Sequence, residues 1–159
     1  MMPEWDPVTG NLPEGVYQAE WNEVKERFGL TPRRRRLLEG LGYALEILRS
    51  YGCRRVWVDG GFVTAKPEPG DFDCCWDYSG TRIASLQTDY PVLFDFSDQR
   101  RAQKERFGGE IFLAHHPADA LGTLFLDFFQ RDRYAGDRKG IILIELPPQE
   151  EAEITIERR

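Results

Sequence analysis

The stretch from Val56 to Trp76 constrains this chain more than any other. A β-branched and aromatic run, Val56-Trp57-Val58-Asp59, ends in Gly60-Gly61-Phe62, and after nine intervening residues from the second glycine comes Asp71-Phe72-Asp73-Cys74. The pattern predicts strands over 54–59 and 71–76, joined by a Gly-Gly turn and a loop over 64–70. The strand period of two puts Asp71 and Asp73 on one face and Phe72, Cys74 and Trp76 on the other. The two carboxylates then lie roughly 6 to 7 Å apart along the strand, close enough to share one or two hard cations through oxygen. A glycine pair at the strand end lets a charged group approach bare backbone, and amides at such a turn can cradle phosphate. Lys66, in the loop, is placed to meet a triphosphate or simply to point into solvent.

The segments around this motif read as a mixed α/β (α+β) domain. Residues 1–16 carry Pro3, Pro7, Gly10, Pro13 and Gly15, a density of breakers that forbids a long helix or central strand, so 1–18 is expected to be an arm pinned by Trp5, Leu12 and Val16. Two helices precede the motif. One covers 20–28, with Trp21, Val24 and Phe28 on one face and Gly29 after it; the other runs from a Thr31 cap and Pro32 to about Tyr51. Leu37, Leu38, Leu41, Leu45 and Leu48 form the buried stripe of the second helix, and Gly40 and Gly42 inside it predict close packing against a neighbour.

After the motif, residues 79–88 lack a pattern, and 92–96 could be a helical turn or a strand. A charged helix over 97–107, capped by Ser97 or Asp98, stops at Gly108-Gly109. Glu110 then opens a third strand over 110–114. An amphipathic helix is expected over 118–133, with Leu121, Leu124, Phe125, Phe128 and Phe129 inward. A final strand covers 141–146, and a charged tail occupies 149–159. The fold expected is thus a mixed sheet of about four strands flanked by helices, with the domain over 19–148.

At 159 residues, 41% of them hydrophobic, the chain is long enough for one packed core. No run of about 18 apolar residues exists and the acidic start lacks the pattern of a secretion signal, so a cytoplasmic protein with no membrane segment is expected. The net charge of −6 disfavours non-specific binding to polyanions. One cluster runs against that trend: Arg33, Arg34, Arg35 and Arg36 occupy the first turn of a helix, where the macrodipole disfavours cations. They are either a solvated end or a phosphate or RNA contact, and replacing Arg34 and Arg35 is expected to leave the fold intact. Cys53, Cys74 and Cys75 lack zinc-ligand spacing and are read as reduced thiols, and His115-His116 is a weak metal signal without ligands at suitable spacing.

At Gly60-Gly61 and Asp71-Phe72-Asp73-Cys74 the sequence resembles the nucleotidyltransferase fold of the DNA polymerase beta superfamily. Its signature is a Gly-Gly or Gly-Ser pair, a short variable loop, and an alternating Asp-apolar-Asp/Glu-apolar strand. Leu12-Pro13-Glu14-Gly15, Asp59 to Lys66, Gly70 to Asp73 and Phe129 to Arg133 also resemble a family of small uncharacterised bacterial proteins thought to be nucleotidyltransferase-like. The resemblance implies transfer of a nucleoside monophosphate from a nucleoside triphosphate to a protein, tRNA or small-molecule acceptor, in the manner of small toxin–antitoxin or defence enzymes. It implies Mg²⁺ or Mn²⁺ on Asp71 and Asp73, triphosphate contacts at Gly60, Gly61 and Lys66, and a third carboxylate on a later strand. Glu110 is the favoured third carboxylate, Asp95 the second choice and Asp77 a distant third. Two departures stand out: Gly61 replaces the usual serine, and the chain has no room for a helical acceptor-binding domain. A partner or a homo-oligomer would have to supply the acceptor site, or the chain is a catalytically silent binding module or antitoxin-like partner.

Overall fold

The computed structural model, described over residues 2–131 and 138–148, builds the domain on one five-stranded mixed sheet. The strands are β1 (Gly15–Ala19), β2 (Arg55–Asp59), β3 (Phe72–Trp76), β4 (Gly109–Leu113) and β5 (Gly140–Glu145), in the order β1-β5-β2-β3-β4. β1 runs parallel to β5, and β3 parallel to β4; β2 is antiparallel to both of its neighbours.

Helices α1 (Trp21–Phe28) and α2 (Pro32–Ser50) stand within a residue or so of their expected bounds. Thr31 Oγ1 accepts a hydrogen bond from Arg34 N at 3.1 Å, so the predicted cap forms. The leucine stripe Leu37, Leu38, Leu41, Leu45 and Leu48 is buried against Val56, Val58, Phe72, Cys74, Trp76, Ile111, Ile142 and Ile144 on one sheet face. Each such leucine contributes roughly 1.5 to 3 kcal/mol by leaving water, which makes this layer the main source of stability. Gly40 explains how closely α4 (Ser97–Phe107) approaches α2: a Cβ at Gly40 would lie 1.7 Å from the Phe107 carbonyl oxygen.

The opposite face is covered by a second, smaller cluster of Trp57, Cys75, Ala114, Phe129 and Ile141, with Phe112, Phe125 and Leu143 packed on it. Here the structure departs most from expectation. Within 118–131 only Phe125–Phe128 is helical (α5), and Leu121 is 92% exposed. The chain instead makes a hairpin-like bridge between Pro117 and Leu124, since Gly122 at φ 82° and the Asp119 carboxylate, which accepts from Leu121 N and Thr123 N, favour a turn. The expected end of that helix at 132–133, and the tail 149–159, lie outside the described residues.

Three other expectations change. Residues 83–89 form helix α3 (Ile83–Asp89) rather than an irregular segment, anchored by buried Leu86, and Pro91–Phe94 is a 3-10 turn. The N-terminal arm ends in a strand, β1, at the sheet edge, so the sheet has five strands rather than about four. Trp5 donates from Nε1 to the Val63 carbonyl at 3.0 Å and Leu12 is buried, so both pin the arm, but Val16 is 44% exposed and does not.

Candidate active site

β2 delivers Asp59 to its last position, where it pairs with Asp73 of β3; Asp73 in turn pairs with Glu110 of β4. Directly opposed residues on neighbouring strands point to the same face. Asp59, Asp73 and Glu110 therefore form one row across three strands, with Asp71 two residues before Asp73 on that same face. The row lies on the face opposite α2, beyond the Trp57 and Cys75 cluster.

Gly60 makes the end of the row possible. It sits at φ 84°, a left-handed conformation, and a Cβ there would lie 2.3 Å from Asp73 Oδ2. Residues Gly61–Val63 then form one 3-10 turn. Lys66 folds back so that its stem reaches Gly61, with Lys66 Cδ 3.4 Å from where a Gly61 Cβ would be.

Burial and close packing disfavour the charged forms of Asp59, Asp71 and Asp73. Burial, then the neighbouring Asp71, Glu110 and Asp59, push Asp73 up to about 8. Asp71 is raised by burial and by Glu110, against the pull of Lys104, Lys66 and Arg33. Asp59 is raised by burial, against Lys139, whose Nζ lies 3.2 Å from Asp59 Oδ1 without hydrogen-bond geometry. Glu110 meets Arg100 Nε at 2.5 Å and Lys104 Nζ at 3.8 Å.

The competing third carboxylates are elsewhere. Asp95 is turned to its own chain, where Oδ1 accepts from Ser97 N at 3.1 Å and from Ser97 Oγ at 2.5 Å. The N-cap position of α4 is Phe96, without a side-chain cap, so the cap expected of Ser97 or Asp98 does not form. Asp77 lies at the far end of the sheet, 2.7 Å from Arg55 Nη2. His115 and His116 are exposed at that same end, and His115 Nδ1 is 4.0 Å from Asp77 Oδ1.

The arginine cluster is corrected by its own geometry. Arg34 is buried, and its guanidinium donates to the carbonyls of Phe28 at 3.3 Å, Phe62 at 2.6 Å, Thr64 at 2.8 Å and Lys66. Arg33 donates from Nε to Pro69 O at 2.7 Å and from Nη2 to Gly70 O at 3.3 Å. These two side chains fasten the loop between the glycine pair and Asp71 to the start of α2. That is the gain that offsets cations at a helix N-terminus, and it overturns the expectation that Arg34 can be replaced without harm.

The row suits a hard divalent cation by its chemistry. Its donors are all oxygen, Asp59 Oδ1 is a buried atom lacking a hydrogen-bond partner, and the space at Gly60 would be closed by any side chain. Among the described residues, however, no three carboxylate, histidine or cysteine side chains already converge as a metal cage. Lys139, Arg100 and Lys104 stand beside the carboxylates instead.

The chain matches a known family over most of its length. The family described as "Family of unknown function (DUF6932)" matches residues 3–145, a span that includes every residue of the row. The chain belongs to DUF6932. No curated protein and no solved structure matches it. Among the described residues of this DUF6932 chain, no helix is long and apolar enough to cross a membrane.

Sequence reasoning missed four members of the site in this DUF6932 protein, one of them Lys104 of α4 beside Glu110. Asp59 was legible in principle, because the last residue of a strand that ends at a glycine pair faces the first acidic residue of the returning strand. Lys139 is 80 positions from Asp59 and reaches it only because β5 lies beside β2. Arg100 reaches Glu110 through a turn no pattern announces: Asp98, Gln99 and Arg100 have φ of 51°, 54° and 60°.

Proposed function

We propose that this chain is a nucleotidyltransferase that moves a nucleoside monophosphate from a nucleoside triphosphate to a hydroxyl acceptor on a protein, tRNA or small molecule. One observation carries the reading: Asp73 is in register with Glu110 on one side and Asp59 on the other, beside a left-handed Gly60 whose missing Cβ leaves room at the carboxylate. Asp71 and Asp73 would hold Mg²⁺ or Mn²⁺, which when bound offsets charge on the attacking and leaving oxygens of an in-line displacement. Gly60 and Gly61 offer backbone the triphosphate can approach, and Lys66 and Lys104 meet its negative charge. The acceptor oxygen forms its bond to the α-phosphorus as the bond to the bridging oxygen breaks, and pyrophosphate leaves. Glu110, on the edge strand β4, receives the acceptor's proton there.

A second reading is favoured by the cations of the site. Lys139 offsets Asp59, and Arg100 and Lys104 offset Glu110, as expected of a catalytically silent module that holds a partner. Incubating the protein with cell extract, Mg²⁺ and each nucleoside triphosphate, labelled at either the α or the γ phosphate, separates the two. Transfer of the α label alone, lost in Asp71→Asn, supports the enzyme; no transfer of either label supports the silent module.

A further inference from the structure

Phe96, Phe112 and Phe125 form a ladder of nearly parallel rings. Phe96 stacks on Phe112 with an interplanar angle of 15° and centroids 5.9 Å apart, and Phe112 stacks on Phe125 at 11° and 4.2 Å. Phe129 packs edge-on against both Phe112 and Phe125 and closes the inner end. The outer end is open, since Phe96 keeps 39% of its surface exposed. Phe112 stands two residues beyond Glu110 on β4, on the same face and roughly 6 to 7 Å along the strand. The ladder thus begins one short step from the carboxylate row.

The backbone between these parts is strained. Asp98, Gln99 and Arg100, none of them glycine, all occupy the left-handed region, which residues bearing a Cβ rarely adopt. Such strain concentrates where a side chain must be held in a particular place. Both flanks of the turn end on the same ring: Phe96 stacks on Phe112, and the Arg100 guanidinium lies 5.7 Å from its centroid. Arg100 also reaches Glu110, so a single turn sets the distance between an open aromatic face and the carboxylates.

We propose that Phe96 is the stacking platform for the base of the nucleotide, with Arg100 between base and phosphates. This rests on the nucleotide-transfer reading of the carboxylate row and adds where the base lies. A planar base continues a ladder of parallel rings, and stacking tolerates any base because each has a π face. Arg100 and Lys104 supply positive charge on the side toward the row, where the phosphates of a base so placed would fall.

Calorimetry in Mn²⁺ with ATP, GTP, CTP, UTP, adenosine and inorganic tripolyphosphate tests this on the full chain. The parent protein should bind at least one nucleoside triphosphate more tightly than tripolyphosphate. Phe96→Leu, which keeps bulk without a ring, should weaken that nucleotide by roughly tenfold, within the range of single-base stacking, and leave tripolyphosphate unchanged. Phe96→Tyr should retain parent affinity. Equal nucleotide affinity in Phe96→Leu and parent overturns the platform, as does an equal loss of tripolyphosphate binding. Phosphate binding abolished by Asp71→Asn but insensitive to Phe96→Leu keeps the transfer reading and rejects the platform. Adenosine binding that depends on Phe96, with no tripolyphosphate binding in any variant, keeps the platform and rejects transfer.

Discussion

Asp73 and Glu110 face each other across the parallel β3–β4 pair, yet only Glu110 has cations at ion-pair distance among the described residues. Arg100 and Lys104, both from α4, hold it at 2.5 and 3.8 Å, while Asp73 is left to burial and three acidic neighbours. The difference decides how Asp73 responds to pH and how Glu110 responds to a cation.

Asp73 should make the protein less stable as pH rises. Its folded value of about 8 lies far above the unfolded carboxyl value, so between about pH 4 and pH 8 the folded state holds a proton that the unfolded state has released. Stability from this group is full below about pH 4 and is lost as pH rises through 8. Asp73→Asn removes the slope, and thermal unfolding without divalent cations should show it about 1 to 3 kcal/mol firmer than the parent at pH 8 to 9 and near parity at pH 4. A parent whose melting temperature rises from pH 5 to 8 relative to Asp73→Asn would contradict this.

Arg100 competes with a cation for Glu110. Arg100→Gln should tighten Mn²⁺ binding about three- to tenfold in a direct titration, because Glu110 then loses its nearest positive charge. The double variant Arg100→Gln/Glu110→Gln should lose the gain. Unchanged Mn²⁺ affinity in Arg100→Gln would mean that Glu110 does not take part in cation binding.

The arginine cluster should split by position. Arg34→Gln leaves carbonyls of Phe28, Phe62, Thr64 and Lys66 without their donor, and urea unfolding should show a loss of about 2 to 4 kcal/mol. Arg36→Gln, at an exposed position, should stay within about 0.5 kcal/mol of the parent. Equal small effects at both would show that the loop between Gly61 and Asp71 is held by other contacts.

Much of the scaffold was legible because it depends on local periodicity. The leucine stripe of α2, the Thr31-Pro32 start and the alternation in β3 each commit a segment to one structure and one buried face. The same-face placement of Asp71 and Asp73 and the start of β4 at Gly109–Glu110 follow from the same local rules, since a glycine stop before an apolar run marks a strand start. The segment 118–131 misled because its apolar residues fall at helical spacing while Pro117, Asp119 and Gly122 favour a turn, and the turn prevailed.

The sequence by itself determined four of the five strands, β1 excepted, which faces they present, and that a glycine pair would stand beside two aspartates. Only the tertiary structure decided what surrounds them. β5 brought Lys139 to Asp59 and the left-handed turn brought Arg100 to Glu110, while Arg34 turned inward to the loop rather than outward to a polyanion. Periodicity fixes a side chain's direction relative to its own segment, whereas its partners depend on strand order and on backbone turns that local residue preferences oppose.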